Sequence, residues 1–300
     1  MELIKALTLS LGDLDDPVVT AYRIGNILHD LYRDKKFRGE PLARIQKEFA
    51  EGKDYYKFVD KLNDEGILAP YKGLPNTVFT LLGRKHESEA EIACVVDPFC
   101  YLSHLSAMSY HGLTNRIPSK IFISSPSPAK WREFSEIKMR KELQVDYELY
   151  INSGLPKLAR TKLSKIGRKE VNVFNSIHLG AFKKVRGSAL RVSTIGRTFL
   201  DMLRSPELCG GINHVLEVYE QFAHQYLRLI VDEIEANGKS IDKVRAGYIL
   251  DERLNIKDER VSDWVSFAQR GGSRKLDASE EYIPQWSDKW CISINIFENK

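Results

Sequence analysis

Apolar residues recur along this chain with a period that changes from block to block. From Thr20 to Arg33 (TAYRIGNILHDLYR), Ile24, Ile27, Leu28 and Leu31 return every three or four positions, the spacing of one helix face. From Lys53 to Glu65 (KDYYKFVDKLNDE), Tyr55, Phe58, Val59 and Leu62 do the same, and Gly66 follows where a left-handed cap ends a helix. Pro41 to Phe49 (PLARIQKEF) reads as a shorter helix with Pro in its first turn. Ala50-Glu51-Gly52 reads as the turn between the two. Ile67 to Lys72 and Thr77 to Leu82 are β-rich, and Gly73-Leu74-Pro75-Asn76 reads as the turn joining them. Helix, tight turn, helix, hairpin is the plan of a winged helix-turn-helix. The expected winged domain covers residues 1–83, with Thr20–Arg33 packed behind the pair and residues 1–19 as a short helix or arm.

Beyond it the pattern changes. Arg84 to Glu89 (RKHESE) is polar, and residues 84–90 are the expected linker. Ile92 to Val96 is a continuous apolar run that reads as the first strand of a larger domain spanning 91–300. Tyr101 to Tyr110 reads as a buried helix capped by Gly112. Ile121–Ser124, Val171–Phe174 and Arg191–Ile195 read as strands, and Trp131–Tyr150 as partly helical. A mostly helical stretch begins at Thr198. Pro206 interrupts it, and helices follow over about Ile212–Leu229, Ile241–Glu252 and Val261–Gln269. Trp290–Phe297 alternates and reads as a last strand. Strands with segregated helices make the fold class α+β.

With its apolar stripe inward, the helix from Lys53 presents Lys53, Tyr56, Lys57, Asp60 and Lys61 outward. Lys53, Lys57 and Lys61 stand at i, i+4, i+8 and form one ridge, suited to the phosphates that flank a major groove. Lys72 and Asn76 fall on the expected wing. Net charge over the 300 residues is only +4, but it is unevenly spread. Lys157 to Arg191 carries ten basic residues against one acid, Glu170, whereas Val231 to Asp263 has a small acidic excess. A basic stretch of this kind is the footprint of a polyanionic partner. Arg160, Lys162, Lys165, Arg168 and Lys169 are therefore expected to widen a DNA footprint.

No apolar run approaches the roughly 18 residues of a membrane span. The start of the chain lacks a small-residue cleavage site before its acids, so no signal peptide and a cytoplasmic location are expected. Cys94, Cys100, Cys209 and Cys291 show no C-x-x-C spacing and imply neither a disulfide framework nor a zinc site. His104 and His111, two helical turns apart, lack a third ligand. No metal or other cofactor is expected.

Three catalytic patterns are partly present in the chain. Gly271-Gly272-Ser273 is similar to the Gly-Ser loop of nucleotidyltransferases, but the strand after it lacks the paired carboxylates that hold magnesium. Asp97 with Glu136-Ile137-Lys138 loosely matches the D…E-x-K pattern of nucleases, though here on a helix. Ser103-His104 and Ser109-Tyr110-His111 offer nucleophile and base types without a G-x-S-x-G elbow. No catalytic residue is assigned and no enzyme activity is expected.

The second domain resembles a known family. Tyr101-Leu102-Ser103-His104-Leu105-Ser106-Ala107-Met108 with His111-Gly112-Leu113-Thr114, and then Arg197-Thr198-Phe199-Leu200-Asp201-Met202-Leu203 with Pro206-Glu207 and Gly210-Gly211, are similar to the two signatures of AbiEi-type antitoxins. These are the antidote halves of AbiE abortive-infection (type IV) toxin–antitoxin systems. The likeness runs from about Thr20 to Leu250 and points to Ser103, Ser106, His111, Gly112, Arg197 and Asp201 as signature positions. It implies a transcriptional autorepressor that binds double-stranded DNA at the operator of its own operon, as inverted repeats. It also implies an antidote to a nucleotidyltransferase-like toxin, acting without a stable complex. The family commonly has Glu-Arg-Thr where this chain has Gly196-Arg197-Thr198, so any contact made by that acid is missing here. Arg197 and Asp201 remain an i, i+4 pair able to bond on the helix surface. Two other functions compete: a metal-dependent nuclease targeted by a winged domain, and an interaction scaffold.

Overall fold

The computed structural model describes residues 1–84, 88–270 and 274–296. The fold is mixed α+β. Its first helix, α1 (Leu3–Gly12), buries Leu3, Ala6, Leu7 and Leu11. A two-residue strand, β1 (Val19–Thr20), leads into α2 (Ala21–Asp34), whose first turn is capped by the Thr20 hydroxyl accepting from the Arg23 N–H. The hairpin β2 (Lys36–Phe37) and β3 (Glu40–Pro41) follows, then α3 (Gly52–Asp64), β4 (Leu68–Pro70) and β5 (Val78–Leu81).

Two elements in this stretch differ from the sequence reading. Pro41–Phe49 is not a helix. Pro41 pairs with Lys36 across β2–β3. The Leu42 N–H bonds to the Lys35 carbonyl, and the Ala43 N–H to the Met1 carbonyl. Arg44 sits at φ +64°, which no right-handed helix accepts. Long-range backbone partners thus replace the i→i−4 bonds that the apolar spacing implied. Ile92–Val96 is not a strand but the end of α4 (Glu89–Val96), which buries Ile92, Ala93, Cys94 and Val96. A short continuous apolar run fits a buried helix as well as a buried strand.

The later elements follow in order. A short strand, β6 (Tyr101–Leu102), precedes α5 (His104–Tyr110), so the expected Tyr101–Tyr110 helix starts late. Next come β7 (Lys120–Pro126), α6 (Pro128–Leu143), α7 (Tyr147–Asn152), β8 (Lys165–Ile166), β9 (Lys169–Ser176), β10 (Phe182–Lys184) and β11 (Arg191–Ser193). They are followed by α8 (Ile195–Arg204), the long α9 (Ile212–Asn237), α10 (Ser240–Gly247), α11 (Glu259–Asp263), β12 (Trp286–Ser287) and β13 (Ile292–Ser293). The helix expected to reach Glu252 changes after Gly247 into a wider π turn over Tyr248–Arg253. The last strand shrinks to Ile292–Ser293, and Phe297 lies outside the described residues.

The chain divides into two compact units. Unit 1 comprises Met1–Cys100, Ser124–His178 and Lys184–Arg191, and unit 2 comprises Tyr101–Ile123, Leu179–Lys183 and Val192–Lys300. The division does not fall at the linker expected over residues 84–90, of which 85–87 lie outside the described residues. In unit 1, β1, β5 and β4 form an antiparallel sheet in that order, with Val19 opposite Phe79 and Leu68 opposite Leu81. The first core does not stop at this sheet. Met139, Leu143, Tyr150 and Leu155 pack with residues of α1, α2 and α3. The Tyr150 hydroxyl lies where a Cβ on Gly25 would be, at 2.5 Å, and the Gly52 N–H bonds to the Ser153 carbonyl at 3.0 Å. A larger residue at 25 would push Tyr150 off α2.

In unit 2, strand residues lie in the order β10, β11, β6, β7, with Val192 parallel to Leu102. The core there is formed by α8, α9, α10 and the segments around them, including Phe199, Tyr219, Ile249, Trp264 and Trp290. Among the described residues, no helix is long and apolar enough to cross a membrane.

Candidate nucleic-acid interface

Helix α3 is fixed from its first turn. The Asp54 carboxylate accepts from the Glu51 N–H at 3.0 Å, and Lys47 Nζ bridges Glu51 Oε2 (2.9 Å) and Asp54 Oδ2 (2.7 Å). Tyr55, Val59 and Leu62 are buried and Phe58 is half-buried, the face that the periodicity assigned inward. The helix ends at Gly66, at φ +68°, and the Ile67 N–H returns to the Leu62 carbonyl.

With that face inward, Lys53, Tyr56, Lys57, Asp60 and Lys61 are exposed, and Tyr56 keeps 65% of its surface accessible. The three lysines are not equivalent. Lys53 pairs with Glu51 at 2.9 Å and Lys61 with Glu65 at 3.8 Å, while Lys57 lies over the Phe58 ring, 5.8 Å from its centroid. Surface pairs of this kind are weak and exchange readily for a phosphate. Lys72 and Asn76 are exposed in the turn between β4 and β5.

The basic segment sorts into two sets. Lys162, Lys165 and Arg168 are exposed, with Arg168 at the tip of the β8–β9 hairpin. Lys169 is exposed but lies 3.9 Å from Glu89. Arg160 differs. It is half-buried, and its Nη2 donates to Asn175 Oδ1 at 2.6 Å and to Ser125 Oγ at 3.4 Å. Arg191 also turns inward and donates to the carbonyls of Cys94, Asp97 and Cys100, holding the end of α4.

Of the signature residues of unit 2, Ser103, Ser106, Arg197 and Asp201 are buried, His111 is half-buried and Gly112 is exposed. Arg197 and Asp201 are 4% exposed each, and Arg197 Nε donates to Asp201 Oδ1 at 2.7 Å. Burial pushes the Asp201 carboxyl up to about 6 against the pull of Arg197, and among the described residues its Oδ2 has no hydrogen-bond partner. Glu233 of α9 adds a second acid beside Arg197, held by Asn237 at 3.0 Å and pushed above the usual carboxylate range by burial. The Arg197 guanidinium packs against Gly180, whose N–H donates to the Tyr101 hydroxyl. Ser103 and His104 are both buried, and Ser103 Oγ shares a 2.8 Å hydrogen bond with His104 Nδ1. Burial, with Arg197 nearby, pushes the His104 imidazole down to about 4. The Ser106 hydroxyl accepts from the Phe122 N–H, and His111 Nε2 donates to the Ser193 carbonyl at 2.7 Å. Gly112 caps α5 at φ +67°.

The Gly196 position has a physical cause. A Cβ there would lie 2.2 Å from the Leu229 carbonyl oxygen and 3.0 Å from Glu233 Cβ. Glycine lets α9 lie directly on α8, and the acid beside Arg197 comes from α9 instead. Sequence reading missed Glu233 and Gly180 because neither is near Arg197 in the chain and neither has a motif.

The catalytic patterns are dispersed into other contacts. Asp97 accepts from Ser125 Oγ (2.6 Å), Trp131 Nε1 (2.9 Å) and the Phe99 N–H (3.0 Å). Glu136 pairs with Arg140, and Lys138 with Glu142, along α6. Gly271-Gly272-Ser273 lies outside the described residues. Among the described residues, no group of three His, Cys, Asp or Glu is placed to hold a metal ion.

No family model matches the chain, and no curated protein matches it in sequence. One similar solved structure is the RV2827C protein from Mycobacterium tuberculosis. It is 12% identical, with a TM-score of 0.49 over 96% of this chain and 89% of that one. Likeness this distant speaks to neither activity nor partners.

Proposed function

We propose that this protein is a DNA-binding transcriptional autorepressor and the antitoxin of an AbiE-like, type IV toxin–antitoxin system. Its N-terminal part is a winged helix-turn-helix. The order α1, β1, α2, α3, β4, β5, with the β2–β3 hairpin between α2 and α3 and an antiparallel β1–β5–β4 sheet, supports that reading. The observation that carries the DNA-binding half is α3. It buries one face and presents Lys53, Tyr56, Lys57 and Lys61 on the other. Lys72 and Asn76 reach the flanking backbone from the β4–β5 turn. Lys162, Lys165, Arg168 and Lys169 add phosphate contacts, and Arg160 supports them from inside. The partner is the double-stranded operator of the protein's own operon, read as inverted repeats in the cytoplasm.

The antidote half rests on the resemblance around Ser103, Ser106, His111, Gly112, Arg197 and Asp201. These residues are buried or bonded within unit 2, so they set its shape. That agrees with an antidote acting on a nucleotidyltransferase-like toxin without a lasting complex. No catalytic step is assigned to the protein itself.

A mobility shift on the promoter upstream of the gene, titrated with salt, tests the DNA reading. Phosphate-driven binding weakens steeply as salt rises. Absence of any salt-sensitive shift removes the reading. Coexpression with a nucleotidyltransferase-like protein from the neighbouring gene tests the antidote: rescue of growth supports it, and continued toxicity rejects it.

A further inference from the structure

Unit 1 holds a cleft of about 420 Å³ beside Arg160, within the ~300–1,000 Å³ range of small-molecule sites. We propose that it binds a nucleoside monophosphate. The inference stands on the cleft itself, which shares Arg160 and Lys162 with the proposed DNA interface, so nucleotide and duplex are expected to compete.

The cleft is built from two short stretches. On β9, Val171, Val173 and Asn175 alternate onto one face and line it. The extended segment over residues 160–164 forms the facing wall, with Arg160, Lys162 and Ser164. Asp97 closes the inner end.

Arg160 is held in advance of any ligand. Its Nη2 is engaged by Asn175 and Ser125, and the Ser125 hydroxyl in turn donates to the buried Asp97. Trp131 and the Phe99 N–H hold that carboxylate from the other side. These bonds use one nitrogen of the guanidinium. Among the described residues, Nε and Nη1 lie outside the network, and each can donate a single charge-assisted bond to a phosphate oxygen. An arginine already oriented loses less freedom on binding than a mobile one. Lys162, exposed two residues on, adds a second positive charge, and Ser164 adds a hydroxyl donor.

Two chemistries therefore meet in one cleft. Arg160 and Lys162 suit a phosphate. The valines and the Asp97 acceptor suit a ring that carries N–H or O–H donors. Inorganic phosphate would fill only the cationic corner. A DNA backbone would gain nothing from an apolar floor. The negative charge of Asp97 keeps the phosphate away from the inner end, so the phosphate sits at Arg160 and Lys162 with the nucleoside inward.

The test uses the full-length protein with AMP, GMP, CMP, UMP, inorganic phosphate and a short duplex, by calorimetry and by thermal shift. At least one nucleotide is expected to bind and raise Tm, and to bind more tightly than phosphate. Lys162→Ala should weaken it about tenfold, the loss of one charge-assisted bond. Asn175→Ala should weaken it too, by releasing Arg160. Lys162 is exposed, so its variant stays informative even if Asn175→Ala unfolds. Four outcomes overturn the proposal. One is no binding of any nucleotide at millimolar concentration. Another is phosphate binding as tightly as the nucleotides. A third is nucleotide affinity that falls with salt as steeply as duplex binding does, which would make the cleft a site for backbone phosphate alone. The last is unchanged affinity in Lys162→Ala, which would place the nucleotide elsewhere.

Discussion

The exposed face of α3 and the cluster around Arg197 use the same residue types in opposite ways. On α3, Lys53, Lys57 and Lys61 point into solvent, and their charges are available to a partner. In unit 2, Arg197 and Asp201 are 4% exposed each and hold one another. Both sets show i, i+4 spacing in the sequence. What separates them is the surroundings. α3 presents its charged side to water, whereas α8 lies under α9 and against Gly180, so little of its surface stays polar and wet. A surface lysine can be removed without stressing the fold. A buried charge cannot, because its partner is left without water.

The largest effect should come from breaking the buried pair. Asp201→Ala strands Arg197 and should cost about 3 to 5 kcal/mol, toward the lower end because Glu233 shares the arginine. Urea unfolding measures it. The double variant Arg197→Ala/Asp201→Ala should lose less than the two single losses combined. Simple additivity would mean that the two side chains act independently, and the comparison would fail.

The next effect is a pH dependence set by His104. Its folded-state pKa of about 4 lies below the ordinary value of 6.5. The unfolded chain therefore takes up a proton first as pH falls. Stability is full above about pH 6.5 and is lost as pH drops toward 4, by up to about 3 kcal/mol. Asp201 has the opposite sign. Its carboxyl, raised to about 6, protonates in the folded state first and returns stability as pH falls below 6. The two partly cancel in the wild type. The difference between wild type and His104→Gln, unfolded in parallel from pH 7 to pH 4, isolates the histidine. Parallel curves would show that His104 does not stay neutral in the fold.

Gly196→Ala comes third. Its new methyl meets the Leu229 carbonyl, and overpacking of this kind costs about 1 to 3 kcal/mol. A neutral result would mean that α9 can move away, and that the close approach does not require the glycine.

The smallest effect on stability should be on α3. Lys57→Ala with Lys61→Ala should stay within about 0.5 kcal/mol of wild type by thermal unfolding. The same variant should lose promoter binding, with the slope of log K against log salt reduced by about 2. A folded double variant that shifts the promoter normally would remove this face from the interface and end the contrast between the two regions.

The N-terminal region shows how far periodicity reaches. Lys53–Glu65 and Thr20–Arg33 were legible because each carries a full apolar stripe, and the β4–β5 hairpin because turn residues separate two β-rich runs. Pro41–Phe49 misled because its apolar spacing was right while its backbone partners, Lys35 and Met1, were distant. Ile92–Val96 misled because a five-residue apolar run has no readable period. In the candidate sites, the outward lysines of α3 follow from the stripe opposite them. The inward turn of Arg160 does not, because it depends on Asn175 and Ser125 meeting in space.

The sequence alone determined the α+β class, the two amphipathic helices, the hairpin and the basic middle of the chain. These are local properties, set by side-chain period and turn chemistry over a few residues. Tertiary structure alone decided that Tyr150 packs on α2, that Glu233 joins Arg197 where Gly196 admits α9, and that Asp97 and Arg160 border one cleft. Each is a contact between residues far apart in the chain. Its energy depends on close packing and on removal from water, and neither leaves a period in the sequence.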